Sequence, residues 1–447
     1  MSQPSARQVA ADLLENIEAK QQYANLELNH VLNRSHLSSV DQKLVTRLVY
    51  GTLQWQMRLD HDWRRFVKKP EQLPLWVHVL LRMSVYQLFF LDKVPDHAIL
   101  NEATNLAKRR DHGKYARLVN AVLRQTQRQG EFDFTMIPDL AQRLSLTYSV
   151  PNWLTTALLA QYGAKRISAL YQTLNEPAQA SLRVNSVKTT PTELLAELAP
   201  TFPNLQLSKL SPVGLVAPEG NFAQTAAFQA GAYTLQDESS QLVAPALQVR
   251  ASDQVLDACA APGGKATHLA TYLDPDQGGH LTALDIHQHK LQLIVDNAQR
   301  LGVAERITTK LLDARQVDQA FADQTFDRVL VDAPCSGLGL LRRKPEIRYA
   351  KTAAGIARLP QIQGEILAAV APKVKSGGYL VYSTCTILAA ENQAVIATFL
   401  ADHPNYVQRS VPVAPQITRS EGELGLQLLM DDEHSDGFFI ACLQRID

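Results

Sequence analysis

Apolar positions recur every three to four residues through the first 130 positions of the chain. Val9, Leu13, Leu14 and Ile17 predict a helix over 6–17, and Leu44, Leu48, Val49 and Leu53 predict another over 41–53. The stretch 75–90 is apolar on most faces, the pattern of a central helix. Helices over 98–106 and 115–127 complete the set. Glycine is scarce here and β-branched alternation is absent, so residues 1–145 are expected to form an all-α domain.

Gly130, Pro138 and Pro151 mark a boundary zone. Beyond it, strands over 180–187 and 231–235 flank a helix over 191–198, which gives a small α+β module over 153–235. From 236 onward strands and helices alternate. Strands are expected at 254–258, 281–285, 307–312, 328–331 and 379–383, with helices at 264–272, 289–301, 355–374 and 389–401. The segments 425–430 and 437–443 read as a hairpin. Continuous apolar runs such as 329–331 suit strands buried on both faces. The fold class predicted for 236–447 is α/β, a Rossmann-like doubly wound sheet with a terminal antiparallel pair.

The first of these strands runs into Cys259-Ala-Ala-Pro-Gly-Gly-Lys265 and a helix start. A plain strand-to-helix turn, a phosphate loop and a nucleotide-type cofactor site all begin this way. The phosphate loop needs G-x-x-x-x-G-K-[ST]. Cys259 stands where its first glycine belongs, and Ala266 where its hydroxyl belongs. The second strand ends in Asp285, where an acid can bond both ribose hydroxyls of an adenosine. No G-x-G-x-x-G is present, so a cofactor with a ribose and no phosphates fits better than a dinucleotide. S-adenosylmethionine is the common one. Asp313, after the third strand, is placed to face the adenine, although a loop acid or helix cap would look the same.

Cys335 follows the fourth strand in Asp332-Ala-Pro-Cys-Ser, and Cys385 follows the fifth in Ser383-Thr-Cys-Thr. A lone cysteine usually packs as a small hydrophobe. Two at matching strand ends, on strands the topology makes neighbours, suit methylation at carbon 5 of a pyrimidine. That carbon is a poor nucleophile until a thiolate adds to carbon 6. The adduct must then lose a proton and expel the thiol, which asks for a second group acting as base. A free thiol titrates near about 8.5, so the nucleophile needs polarising surroundings. Asp332 is positioned to stabilise charge building on the ring.

Taken together, DACAAPGGKATHLA, DAPCSGLG and YSTCT resemble the RNA 5-methylcytosine methyltransferases of the Sun/NOL/NOP family. The resemblance spans about 150–447 and includes Arg183-Val-Asn185 and Gln236-Asp-Glu-Ser-Ser-Gln241. It implies that Cys385 is the nucleophile and that Cys335 assists product release. It implies S-adenosylmethionine contacts at Cys259, Ala260, Ala261, Pro262, Gly263, Gly264, Lys265, Asp285, Asp313 and Asp332. Residues 1–145 resemble the NusB-like helical RNA-binding domain. That fusion points to the RsmB/Sun-type bacterial branch, whose substrate is a cytosine of 16S rRNA. The same chemistry on tRNA or another RNA, and a non-catalytic RNA-binding assembly factor, are the alternatives; the intact cysteine pair argues against the second.

Charge changes the picture only when divided. The chain's 44 Lys/Arg balance its 44 Asp/Glu. Residues 1–150 hold 20 basic against 15 acidic side chains, a net of +5, and the remainder is −5. Between Lys93 and Arg128, eight basic residues stand against three acids. Lys108, Arg109 and Arg110 within this cluster are candidate phosphate contacts, or else a solvated helix face. Arg342, Arg343, Lys344 and Arg348, just after the Cys335 loop, are expected to touch RNA.

Four cysteines are too few for a disulfide scaffold and suit a reducing compartment. Neither a signal peptide nor a membrane-length apolar run is apparent, and no His pairs with Cys at metal spacing. The expectation is a cytoplasmic, metal-free monomer.

Overall fold

The computed structural model describes residues 4–412 and 424–447. Residues 1–3 of the first expected domain and 413–423 within the third lie outside the described residues. The chain divides into two compact units, Met1–Asn175 with Lys344–Ala353, and Glu176–Arg343 with Ala354–Asp447.

The first unit is helical. Its centre is the helix Leu75–Phe90, which buries Trp76, Val77, Leu81 and Val85. Around it pack Ala6–Lys20, Ser39–Gln54, Gln56–Arg64, Asp96–Arg109 and Ala116–Gln129. Ser5 and Ser38 cap the first two of these helices, each accepting a backbone N–H three residues on. An apolar central helix still carries Arg82, buried, which holds both carboxylate oxygens of Asp60 at 2.5 and 2.8 Å. The periodicity misses Ala24–Arg34, which buries only Ala24 and Leu28. It also misses Asn152–Thr173, whose pattern breaks at Gly163, where φ is +79°. By contacts, that helix groups with the helical unit.

The second unit contains two sheets. Strands β1 (Ala180–Val184), β2 (Gln206–Leu207), β3 (Gly214–Ala217) and β4 (Tyr233–Leu235) form an antiparallel sheet ordered β2-β3-β1-β4. Its helix Pro191–Leu198 begins at a reciprocal capping box between Thr190 and Glu193.

The larger sheet is built from β5 (Gln254–Asp257), β6 (His280–Asp285), β7 (Ile307–Leu311), β8 (Phe326–Asp332), β9 (Val374–Thr384), β10 (Tyr406–Arg409), β11 (Leu426–Leu428) and β12 (Phe438–Arg445). Its order is β10-β12-β9-β8-β5-β6-β7, with β11 beside β12. Strands β5 to β9 run parallel; β12 is antiparallel to β9, β10 and β11. Order reverses at β5, so a crevice opens outside the carboxyl ends of β5 and β8. Apolar layers cover both faces, with Val255, Leu281, Leu330 and Val381 on one side and Leu256, Val329, Val331 and Leu380 on the other. This alternation within single strands explains their continuous apolar sequence. No helix among the described residues is long and apolar enough to cross a membrane.

Candidate active site

The turn after β5 is shaped by its glycines. Gly263 has φ +100°, and a Cβ there would lie 3.0 Å from Ile294 Cα. Gly264 opens the helix Gly264–Ala270, and a Cβ on it would meet only Gln236, at 3.8 Å. The N–H of Ala260 donates to Leu284 O at 2.8 Å, which ties the turn to β6. From below, buried Arg183 of β1 donates to Gln236 Oε1 at 2.7 Å, to Thr267 Oγ1 at 3.1 Å and to the Gly264 carbonyl. Asn185 donates to Leu301 O at 2.7 Å. The two upstream motifs thus brace the turn.

Carboxyl groups crowd this edge. Asp285 ends β6 half-buried and accepts the His287 N–H at 2.8 Å. Asp313 caps the short turn Ala314–Gln319 and is ion-paired with Arg315 at 2.7 Å. Asp332 ends β8, accepting from Ser383 Oγ and from Lys265 Nζ, each at 2.8 Å. Beneath them Asp257 is fully buried, and its Oδ2 meets no hydrogen-bond partner among the described residues. Burial, then the charge of Asp332, pushes its carboxyl up to about 7. Burial disfavours the Lys265 ammonium, but Asp332 more than offsets this and holds its pKa above the ordinary value. Burial and the neighbouring acids push the Cys259 thiol well up, the behaviour of an inert thiol. An edge this acidic repels phosphates and suits a ribose-bearing cation, so these residues fit S-adenosylmethionine.

Cys335 and Cys385 meet at the carboxyl ends of β8 and β9, with Sγ–Sγ 3.4 Å apart. The two thiols share a hydrogen bond in which either sulfur can donate. That bond, aided by nearby Lys265 and opposed by burial, lowers the Cys385 pKa. The same pairing, with burial, raises Cys335. The pairing thus favours the charged form at Cys385 over Cys335.

Sequence reasoning missed two buried side chains behind the cysteines. Glu391 accepts the Ser336 N–H at 2.8 Å, Gln363 Nε2 at 3.0 Å and Thr386 Oγ1 at 3.2 Å. Gln363 Nε2 also donates to Pro334 O at 3.0 Å. The available signal was an acid six positions after Cys385, directly after the apolar run Ile387-Leu-Ala-Ala390.

The basic segment after the Cys335 loop overturns an expectation. Arg342 is 4% exposed, and its Nη2 donates to the carbonyls of Ser435, at 2.6 Å, and Met430. Arg343 pairs with Asp237 at 2.8 Å and Asp436 at 3.1 Å. Arg348 is fully buried in the helical unit, donating to Gln54 O at 3.0 Å and Tyr148 O at 3.2 Å. The Arg342 and Arg348 guanidiniums hold loops together and present little to a phosphate, whereas Arg343 stays partly exposed. Lys344 remains half-exposed, its Nζ 4.7 Å from the Tyr23 ring centre. In the other cluster, Arg110 is engaged by Asp12 at 2.6 Å and Glu15 at 2.5 Å, whereas Lys108 and Arg109 are exposed. Among the described residues no group of three or more His, Cys, Asp or Glu side chains could hold a metal ion.

The chain matches three protein families. Residues 244–444 match the 16S rRNA methyltransferase RsmB/F family, residues 4–128 the NusB family, and residues 150–219 the RsmF/B-like ferredoxin-like domain. It is 40% identical over 450 residues to the probable ribosomal RNA small subunit methyltransferase B of Bacillus subtilis (strain 168), covering 100% of both chains. It is 36% identical over 452 residues to the protein of the same description from Synechocystis sp. (strain ATCC 27184 / PCC 6803 / Kazusa), covering 99% of each. Among solved structures, PH0851 superposes with TM-score 0.83 at 24% identity over 100% of both chains. A methyltransferase homolog protein from Pyrococcus horikoshii superposes with TM-score 0.58 at 25% identity, over 70% of this chain and 100% of that one.

Proposed function

Because the chain belongs to the ribosomal RNA small subunit methyltransferase B family, and so is an rRNA methyltransferase with a NusB-like N-terminal domain, we propose that it methylates carbon 5 of a cytosine in 16S rRNA through a covalent adduct on Cys385. The observation that carries this reading is the 3.4 Å approach of Cys385 to Cys335 beside the acidic cofactor edge.

Bound S-adenosylmethionine supplies the methyl group. Asp285 would hold its ribose, the 259–265 turn its body and Asp313 its adenine. The target cytosine must leave its stack to enter the site. The Asp332 carboxylate, fixed by Lys265 and Ser383, accepts from the exocyclic amine that marks a cytosine. The Cys385 thiolate adds to carbon 6, and carbon 5 gains the electron density it needs to take the methyl. Carbon 5 then gives up its proton to a base. The sulfur–carbon bond breaks with its electron pair returning to Cys385, and Cys335 assists at that bond.

The test is transfer of labelled methyl from S-adenosylmethionine to unmodified 16S rRNA, with tRNA alongside, and mapping of the product. Methyl at carbon 5 of an rRNA cytosine is expected. Cys385→Ala should abolish both transfer and adduct, and Cys335→Ala should leave a protein–RNA species on a denaturing gel. Label on tRNA alone, or turnover by Cys385→Ala, would sink the reading.

A further inference from the structure

The two peptide groups flanking Cys335 are each held by a buried side chain. Before it, Pro334 O accepts from Gln363 Nε2 at 3.0 Å. After it, the Ser336 N–H donates to Glu391 Oε2 at 2.8 Å. The two holders are bonded to each other at 3.0 Å. Glu391 also reaches the other cysteine loop, where Thr386, next to Cys385, donates to its Oε1 at 3.2 Å. Ser336 Oγ and Thr386 Oγ1 close the circuit at 2.8 Å. Glu391 is 1% exposed and Gln363 fully buried, so neither meets RNA or cofactor. Its backbone is anchored as well, since Tyr382 OH donates to Glu391 O at 2.6 Å.

We propose that Gln363 and Glu391 are a positioning pair for Cys335, holding its loop against Cys385 so that the adduct can be resolved. This rests on the two-thiol reading above. A carboxyl without a cation among its hydrogen-bond partners is a costly thing to bury, and three donors aimed at it account for its presence. A hydrocarbon of the same shape would fill the space but would leave the Cys335 loop unheld. Glu391→Gln keeps the volume and one acceptor, and puts an amide nitrogen in place of one oxygen, either the one that accepts from Thr386 or the one that accepts from Ser336 and Gln363. Gln363→Leu keeps the volume and frees Pro334 O. Gln363→Leu leaves the Cys385 loop untouched, whereas Glu391→Gln also alters the contact with Thr386 Oγ1; in both, attack on the cytosine is expected to survive while release slows.

The experiment mixes each full-length variant with unmodified 16S rRNA and S-adenosylmethionine, and follows both turnover and the denaturant-stable protein–RNA band, with Cys335→Ala as reference. Losing one such buried hydrogen bond should slow turnover on the order of tenfold or more. The expected signature is this slowing with accumulated adduct in both variants, as in Cys335→Ala. Two results overturn the proposal alone: wild-type turnover without adduct, or lost turnover without adduct while Cys335→Ala still traps RNA. Absence of adduct in Cys335→Ala itself overturns the two-thiol reading, and the positioning role with it.

Discussion

Cys335 and Cys385 stand 50 positions apart in sequence and 3.4 Å apart at sulfur. Their hydrogen bond stabilises the Cys385 thiolate, so it lowers the pH at which that thiolate forms. Removing the donor must do the opposite. In single-turnover adduct formation, the acid limb of the pH–rate profile should lie below the ordinary thiol range in the wild type. In Cys335→Ala it should move to higher pH. Stopped reactions sampled from pH 5 to 9 would show this, and an unmoved limb would remove Cys335 from the activation of its neighbour.

Asp257 makes a prediction about stability. Its carboxyl has an ordinary value of 3.8 and is pushed up to about 7. Between those values the folded protein keeps a proton that the unfolded chain has released. Stability therefore falls as pH rises through this window, and the full cost is present above it. At about 1.4 kcal/mol per pH unit the cost is about 4 kcal/mol. The Tm of Asp257→Asn relative to wild type should accordingly rise between pH 4 and pH 8. A difference that stays constant over that range would show that the carboxyl is not titrating there.

Two glycines should respond in opposite senses. Gly364 lies inside the helix Leu359–Val370, and a Cβ there meets nothing within 4 Å. Gly364→Ala should stabilise the protein by about 1 kcal/mol. A Cβ on Gly339 would fall 1.8 Å from Gly437 O and 2.8 Å from Cys385 O. Because those are backbone atoms, Gly339→Ala should cost about 1–3 kcal/mol or more. It should also depress methylation beyond its effect on stability, since the Gly339 N–H holds Cys385 O at 2.9 Å. Urea titration and initial rates, compared for the two variants, test both signs.

The basic residues divide by what they touch. Replacing exposed Lys108 and Arg109 with alanine should weaken rRNA binding and flatten its salt dependence by up to about 1.5 in the log–log slope. Arg348→Lys should leave that slope unchanged. Instead it should lower the unfolding free energy, because an ammonium cannot reproduce the planar reach to Gln54 O and Tyr148 O. Filter binding across a salt series, beside thermal unfolding, separates the two classes. Equal slopes in all variants would return Lys108 and Arg109 to a solvated face.

The parts of the fold legible in sequence are those where one periodicity runs unbroken. Helix Pro191–Leu198 and the parallel strands announce themselves by caps and by apolar runs between glycine turns. Strands β2 and β10 do not, because each is short and no glycine turn or continuous apolar run sets it off from its flanks. At the site, the cysteines and the 259–265 turn were visible because their chemistry sits in compact motifs. Glu391 and Gln363 were not, because their importance comes from meeting across 28 positions. The misread arginines show the converse limit. Sequence records that Arg342 and Arg348 are charged, but the carbonyls that consume that charge lie far along the chain.

The excursion of residues 344–353 has a consequence for where this chain can be cut. The chain passes between the two units at 175/176, at 343/344 and again at 353/354. The helical unit is thus made of two pieces of chain, and the second, with Arg348 and Tyr349, supplies partners to carbonyls of the first. A cut near 175 would strand those side chains on the wrong fragment and leave the carbonyls unpaired. The helical unit is therefore complete only when residues 344–353 are present with residues 1–175.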